Sequence, residues 1–353
     1  MMSRLWIDYM APCDVFFFSS ILKEFSDVPQ LETILTARSH AETESLLVDY
    51  NVNAKIIGEH DVSNSYLQML SFTRRNLSLY WRVPSFDISL SLANIYGIII
   101  SLMRNRPSIS IIDNDLIEYE RSKMEKIAAK IHAKAHWIIA PASYPIEKTI
   151  EKGANVDRTV TFNGYKEDIY IADYAPDMAF MEKVPFKDFI VIRPEALYST
   201  YVHNKGSITP ELLKKFSREG VNIVYLPRHK EDTCYIDGVA DQSNIWIPPK
   251  ALNGLDLVYY SKAILTGSGT FAREAACMGK PAVSFFPDQL LAVDASLINQ
   301  RKMYHSLNPD DIVEYVLSEC RCSSEVSFEE NKRIKGEFTS ILKGIFETEK
   351  IYG

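Results

Sequence analysis

The feature that most restricts this chain is an alternation running from one end of its 353 residues to the other, in which short apolar runs are each followed by a segment with apolar residues three and four apart. Short runs of this kind suit strands buried on both faces, and the intervening period suits helices, so the pattern predicts repeated βα units and parallel sheets. In the first half, strands are expected at 4–8, 32–36, 54–57, 86–91, 108–113, 137–140 and 159–162. The helix expected at 15–25 carries Phe18, Ile21, Leu22 and Phe25 at i, i+3, i+4 and i+7, with Asp14 standing as its N-cap. Residues 163–185 lose periodicity and gather Gly164, Pro176 and Pro185, which marks a boundary. A second series then places strands at 189–193, 222–226, 244–247, 263–266 and 282–285. It continues with a helix at 310–319 announced by Asn308, Pro309 and two aspartates, and ends in a long helix at 327–349.

The resulting division is an N-terminal domain at 1–165, a linker at 166–186, a C-terminal domain at 187–326 and a final helical segment at 327–353 that can cross back to the first domain. Both domains read as Rossmann-like, doubly wound α/β layers, and ligands of such sheets bind beyond the strands' C-terminal ends, here in an expected central cleft. A formal charge of −7 offers no basic field for a polyanion, so nucleic acid is not an expected partner. Five cysteines without a Cys-x-x-Cys pair fit a reducing, cytoplasmic setting. Arg4, Asp8 and Asp14 interrupt the first twenty residues, which therefore lack the apolar core of a signal peptide. The longest apolar stretch, 86–103, contains Asp87, Asn94 and Gly97 and reads as a strand and a helix, short of the roughly 20 apolar residues of a spanning segment.

The strongest chemical signal is Gly267-Ser268-Gly269-Thr270, which joins a strand to a helix. Glycines permit close backbone approach, and the helix N-terminus offers free N–H groups and the positive end of its dipole, which together seat a phosphate. Thr270 and Glu274 share one helix face, so the carboxylate is placed to accept two hydrogen bonds from a ribose diol. The plainer alternative is a tight turn followed by a solvated charge.

These residues resemble the donor-nucleotide signature of glycosyltransferase-B (GT-B) fold enzymes. They are similar both to the lipid-linked peptidoglycan N-acetylglucosaminyltransferase and to the non-hydrolysing UDP-N-acetylglucosamine 2-epimerases. A GT-B-like family, domain of unknown function 354 (DUF354), is closer still. Its phrases look like Phe162-Asn163-Gly164-Tyr165-Lys166-Glu167, Val191-Ile192-Arg193-Pro194-Glu195, Leu226-Pro227-Arg228, Ile247-Pro248-Pro249, Arg273-Glu274-Ala275-Ala276 and Leu290-Leu291-Ala292-Val293-Asp294.

The resemblance implies that Gly267, Ser268, Gly269, Thr270 and Glu274 hold a UDP-sugar, with Arg193 facing the pyrophosphate, Ile247 beside the uracil and Asp294 at the sugar hydroxyls. Arg193 can equally serve an interdomain salt bridge, and Asp294 can be an exposed helical carboxylate. Asp14 is a candidate base for an acceptor hydroxyl, although it can be a helix cap and the family more often has His there. Asp113 and Asp115, followed by Glu118 and Glu120, cluster where the 2-epimerases keep an acid/base pair, or are simply solvated. Arg74, Arg75, Trp81 and Arg82 make a basic and aromatic run suited to peripheral contact with the inner face of a membrane, or the exposed side of a helix with Trp81 tucked into the core.

The expectation is therefore a metal-independent glycosyltransferase with a UDP-sugar donor and a glycan or lipid-linked acceptor of the cell envelope. An epimerase acting on the donor alone is the first alternative, and a non-catalytic sugar-nucleotide or partner-binding module the second. Neither a metal nor a resident cofactor is expected.

Overall fold

The computed structural model describes residues 2–40, 42–59, 65–119, 123–197, 206–319 and 326–351. The chain forms two compact units, Met1–Tyr170 with Lys332–Gly353, and Ile171–Asn331.

In the first unit, strands β1 (Ser3–Tyr9), β2 (Leu31–Ser39), β3 (Lys55–Glu59), β4 (Ile88–Leu92), β5 (Ser108–Ile111), β6 (Trp137–Pro141) and β7 (Thr159–Phe162) pair in parallel in the order β3-β2-β1-β4-β5-β6-β7. Helices α1 (Pro12–Lys23), α2 (Thr43–Asp49), α3 (Ser65–Arg82), α4 (Tyr96–Arg104), α5 (Lys123–His132) and α6 (Ile146–Glu151) connect them, and α7 (Lys166–Ile171) follows β7. The chain leaves β1 outward to β2 and β3, then returns to lay β4 on the other side of β1. The switch point thus lies between β1 and β4. Trp6, Ile57, Leu79, Val83, Phe86 and Ile100 fill one face of this sheet, and Ile98, Ile112, Ile138, Ala140 and Tyr144 pack together on another cluster. Each fully buried large side chain contributes about 1.5–3 kcal/mol.

The second unit repeats the plan. Strands β8 (Ile190–Arg193), β9 (Ile223–Tyr225), β10 (Ile245–Trp246), β11 (Ile264–Thr266), β12 (Ala282–Ser284) and β13 (Tyr304–His305) form an all-parallel sheet in the order β10-β9-β8-β11-β12-β13. Its helices are α8 (Thr209–Arg218), α9 (Gly254–Tyr260), α10 (Gly269–Cys277), α11 (Ala292–Asn299) and α12 (Pro309–Glu319). Ile190, Ile192, Leu212, Phe216, Tyr225 and Leu265 are among its core. Asn308 caps α12 as its sequence predicts, accepting from Asp310 N at 3.0 Å. Helix α13 (Glu329–Thr348) brings the chain back to the first unit at Lys332, where Phe338 packs on Phe17 and Phe162. Gly164 is required there, since a Cβ would stand 2.4 Å from Ile334 Cγ2.

Four sequence readings change. Residues 166–186, read as linker, contain helix α7 and a 3-10 turn at Phe180–Lys183, and the boundary between units falls at Tyr170. Strand β13 is too short to have a periodicity and was not anticipated. Asp14 is not the N-cap of α1, because Pro12 starts the helix and the carboxylate reaches back from the first turn to Met10 N and Ala11 N at 2.6 and 3.2 Å. Finally, Arg75 is 3% exposed and leaves the basic surface, whereas Trp81 is 78% exposed and does not enter the core.

Candidate functional site

Strands β8 and β11 flank the switch point of the second unit, where a doubly wound sheet opens to a ligand. Thr266 lies opposite Arg193 in the ladder, and Gly267 N donates to the Arg193 carbonyl at 3.3 Å. The turn after β11 is pressed against the turn after β8: a Cβ on Gly267 would come within 2.6 Å of Glu195 Cα, so only glycine fits. Glu195 is buried and fixes its own turn by accepting from Ser207 Oγ, Ile208 N and Thr209 Oγ1 at 2.6–2.8 Å. Nearby, Arg228 Nε donates to Pro194 O at 2.8 Å, which adds a second guanidinium beside the end of β8.

Helix α10 begins at Gly269, with Ser268 in extended backbone at the N-cap and no side-chain cap on its first turn. The start of the helix also lies against the Arg273 guanidinium, which a Cβ on Gly269 would meet, so the positive end of the dipole and a cationic side chain come together there. Glu274 is one turn further on and largely buried, at 9% exposure. Arg273 lies beside it, donating from Nη1 to Asp294 Oδ1 at 2.9 Å and from Nη2 to Thr270 Oγ1 at 3.3 Å. The pair is buried, so Asp294 is not an exposed helical carboxylate; it anchors α11 to α10 through a charge-assisted bond. Ile247 follows the edge strand β10, half-buried against the core.

The first unit gathers titratable groups at the C-terminal ends of β1 and β5. Asp113 and Asp115 follow β5, both buried. Lys166, 6% exposed at the start of α7, pairs with Asp113, whose other oxygen accepts from Asn114 Nδ2 at 2.8 Å. Burial pushes the Asp14 carboxyl up to about 7 against the lowering effect of the Met10 and Ala11 N–H groups and the Lys166 ammonium, with Asp113 adding to the rise. Burial likewise pushes the Cys13 thiol up to about 12, opposed by Lys166. Asp14, Asp113 and Lys166 thus form one electrostatically linked group, two carboxyls sharing one ammonium, which is the kind of arrangement that positions a proton-transfer group near neutrality.

Glu118 has a different fate. Tyr144 Oη and Thr149 Oγ1 donate to it at 2.6 and 3.0 Å, and Lys152 pairs with its other oxygen. Burial alone would raise its pKa, but these donors hold it below the usual carboxylate value, so it is a fixed anion knitting the turn after β5 to α6. Glu120 lies outside the described residues. Among the described residues no group of three or more His, Cys, Asp or Glu side chains is placed to hold a metal ion.

The structure thus brings Gly267, Ser268, Gly269, Thr270, Glu274 and the end of β8 at Arg193 to one switch point, and Asp14 and Asp113 to one strand-end cluster with Lys166, while Asp115, buried two residues further on, acts on Tyr144 instead. Sequence reasoning missed Lys166, Glu195 and Asn94. The first two sit inside the quoted family phrases, which was the available signal. Asn94 had none: it donates to Asp8 O at 3.2 Å and caps α4 through Tyr96 N at 3.1 Å, which is visible only once β1 and β4 are neighbours.

Two all-parallel sheets, each wound both ways about a switch point, with a glycine-rich strand-to-helix turn in the second, define a GT-B fold. The chain belongs to the family described as protein of unknown function (DUF354), which matches residues 3–340. The uncharacterized protein MJ0665 of Methanocaldococcus jannaschii is 27% identical over 326 residues, covering 88% of this chain and 90% of that protein. The crystal structure of UDP-GlcNAc 2-epimerase from Neisseria meningitidis, bound to UDP-GlcNAc, superposes with a TM-score of 0.74 at 12% identity, covering 98% of this chain and 100% of its own. The glycotransferase of kitacinnamycin superposes with a TM-score of 0.60 at 9% identity, covering 99% of each chain.

Proposed function

We propose that the chain is a UDP-sugar-dependent glycosyltransferase whose second unit binds the nucleotide, with Asp14 as its candidate proton acceptor. The observation that carries this reading is the packed turn at Gly267, which opens α10 with no side-chain cap and with the Arg273 guanidinium against Gly269, a cationic helix start suited to a diphosphate, with Glu274 one turn on for the ribose. The similarity of fold to a UDP-GlcNAc-bound epimerase supports the choice of UDP. In the reaction, the acceptor hydroxyl oxygen bonds to the anomeric carbon, the bond from that carbon to the β-phosphate oxygen breaks, UDP departs and Asp14 takes the hydroxyl proton. Arg193 and the dipole of α10 stabilise the leaving diphosphate without calling on a metal. The acceptor class is a glycan or lipid-linked glycan.

Calorimetry with UDP tests the reading. UDP should bind, and Glu274→Ala should weaken it by about 1–3 kcal/mol through the loss of two charge-assisted bonds. Absence of UDP affinity, or equal affinity in the variant, removes the site.

A second reading has its own support in the Asp113–Lys166 pair with Asp14 beside it, because a clustered acid/base set suits proton exchange on the donor sugar itself. An epimerase of this kind would put solvent deuterium at C2 of a UDP-sugar in D₂O without any acceptor. Transfer to an acceptor with no such exchange supports the transferase.

A further inference from the structure

Helix α3 presents an outer face that the fold does not use. Leu70, Arg74, Leu77 and Trp81 recur at i, i+4, i+7 and i+11, so they form one stripe along the helix. Leu70 is 54% exposed, Leu77 53% and Trp81 78%, and Met69 beside them is 48% exposed. The neighbouring helix α4 ends with Leu102 and Met103 also more than half exposed, and Arg104 ties the two helix ends together by donating to Val83 O and Pro84 O at 2.8 Å. Large aliphatic and aromatic side chains held in water at helical spacing mark a contact surface rather than scattered surface apolar residues.

Charge identifies the occupant. The protein carries a net −7, yet residues 65–112 contain five arginines and a single acidic residue, Asp87, which pairs with Arg106. Of these, Arg75 is consumed inside, while Arg74 and Arg82 are exposed along the stripe and neither enters an ion pair with a described residue. A second copy of this face would set Arg74 and Arg82 against their own equivalents. An anionic surface would not. No helix of the described residues is long and apolar enough to cross a membrane, and the apolar stripe covers only one side of α3, which suits a helix lying in an interface rather than one spanning it.

We propose that the α3 face, built on Leu70, Leu77 and Trp81 and flanked by Arg74 and Arg82, docks the protein onto an anionic phospholipid bilayer. The inference is independent of the reaction proposed above. Apolar insertion supplies hold, and the arginines select anionic headgroups within a Debye length.

The test is sedimentation of the full-length protein with vesicles of phosphatidylcholine alone or with about 30% phosphatidylglycerol. Binding is expected only to the anionic vesicles. It should fall about tenfold or more in the double variant Leu77→Ser/Trp81→Ser, and by a similar factor in Arg74→Gln/Arg82→Gln or in about 0.5 M salt. These side chains are exposed, so both variants should keep the wild-type melting temperature, which is measured alongside. Brominated lipid should quench wild-type fluorescence on binding and lose that effect in Trp81→Phe. Absence of binding to anionic vesicles overturns the proposal, as does binding that neither variant changes. Analytical ultracentrifugation showing a dimer that Leu77→Ser/Trp81→Ser dissociates would also overturn it, making the face a self-interface.

Discussion

The Arg75 guanidinium grips both carboxylate oxygens of Asp8, Nη1 to Oδ2 at 2.9 Å and Nη2 to Oδ1 at 2.8 Å, in the interior of the first unit. Asp8 lies at the end of β1, and Arg75 comes from the middle of α3. Thr36 Oγ1 donates to Asp8 Oδ1 at 2.7 Å and itself accepts from Trp6 Nε1, while Arg75 Nε donates to Ile57 O. The guanidinium also stacks over Tyr96 at 4.4 Å. One buried network therefore ties β1, β2, β3, α3 and α4 at the switch point.

Removing one partner of such a pair leaves the other charge buried and alone. Arg75→Ala is expected to cost about 3–5 kcal/mol. Chemical denaturation of the variant against wild type checks this, and a cost below about 1 kcal/mol would show that the pair is not holding the unit together.

At Gly267 the constraint is steric. Alanine there would collide with the Glu195 backbone, so Gly267→Ala should lose about 1–3 kcal/mol of stability. It should also weaken UDP, because relief of the clash moves the turn that precedes α10. Unchanged melting and unchanged UDP affinity together would contradict the packing argument.

His132 is buried with Ser110 Oγ 3.1 Å from its Nδ1, and burial brings its pKa down from 6.5 to about 4. Between those values the unfolded chain binds a proton that the folded chain does not, so stability falls as pH drops from 6.5 towards 4. At about 1.4 kcal/mol per pKa unit the full loss is about 3–4 kcal/mol. Measuring unfolding free energy across this range in wild type and His132→Gln should show the acid-side slope flattened in the variant.

Asp14 has the opposite sign. Its carboxyl is raised from 3.8 to about 7, so the folded state holds a proton that the unfolded state releases, and the stabilising protonated form is lost as pH rises through 7. Wild type should therefore lose stability relative to Asp14→Asn between pH 4 and pH 8. If Asp14 is the acceptor base, turnover should climb through pH 7, and Asp14→Asn should cut it by about 10² to 10⁴ with little effect on UDP affinity. A variant with wild-type turnover would leave Asp14 as the anchor of the α1 turn.

Turnover should survive chelation, since the proposed mechanism stabilises the leaving diphosphate with Arg193 and α10. Activity abolished by EDTA and restored by magnesium or manganese would shift the diphosphate to Asp113 and Asp115.

The strand-helix alternation by itself determined the two parallel layers, because strands buried on both faces must be apolar throughout and helices between them must be amphipathic. Strands β1 to β12 accordingly fall where the apolar runs place them, and Gly267-Ser268-Gly269-Thr270 was legible because a glycine-rich strand-to-helix turn is a local pattern. Strand order, and everything that depends on it, was decided only in three dimensions. Arg75 and Trp81 sit six residues apart on one helix, and nothing in that segment tells which faces inward. The packing of α3 over β1 sends Arg75 to Asp8, 67 residues away, and leaves Trp81 in solvent. Likewise Asp14, Asp113 and Lys166 become one group because β1, β5 and the turn after β7 end at the same edge of the sheet. Local periodicity reports whether a segment is strand or helix; the inward face of α3 and the partners of a buried charge are set by chain crossings that periodicity does not encode.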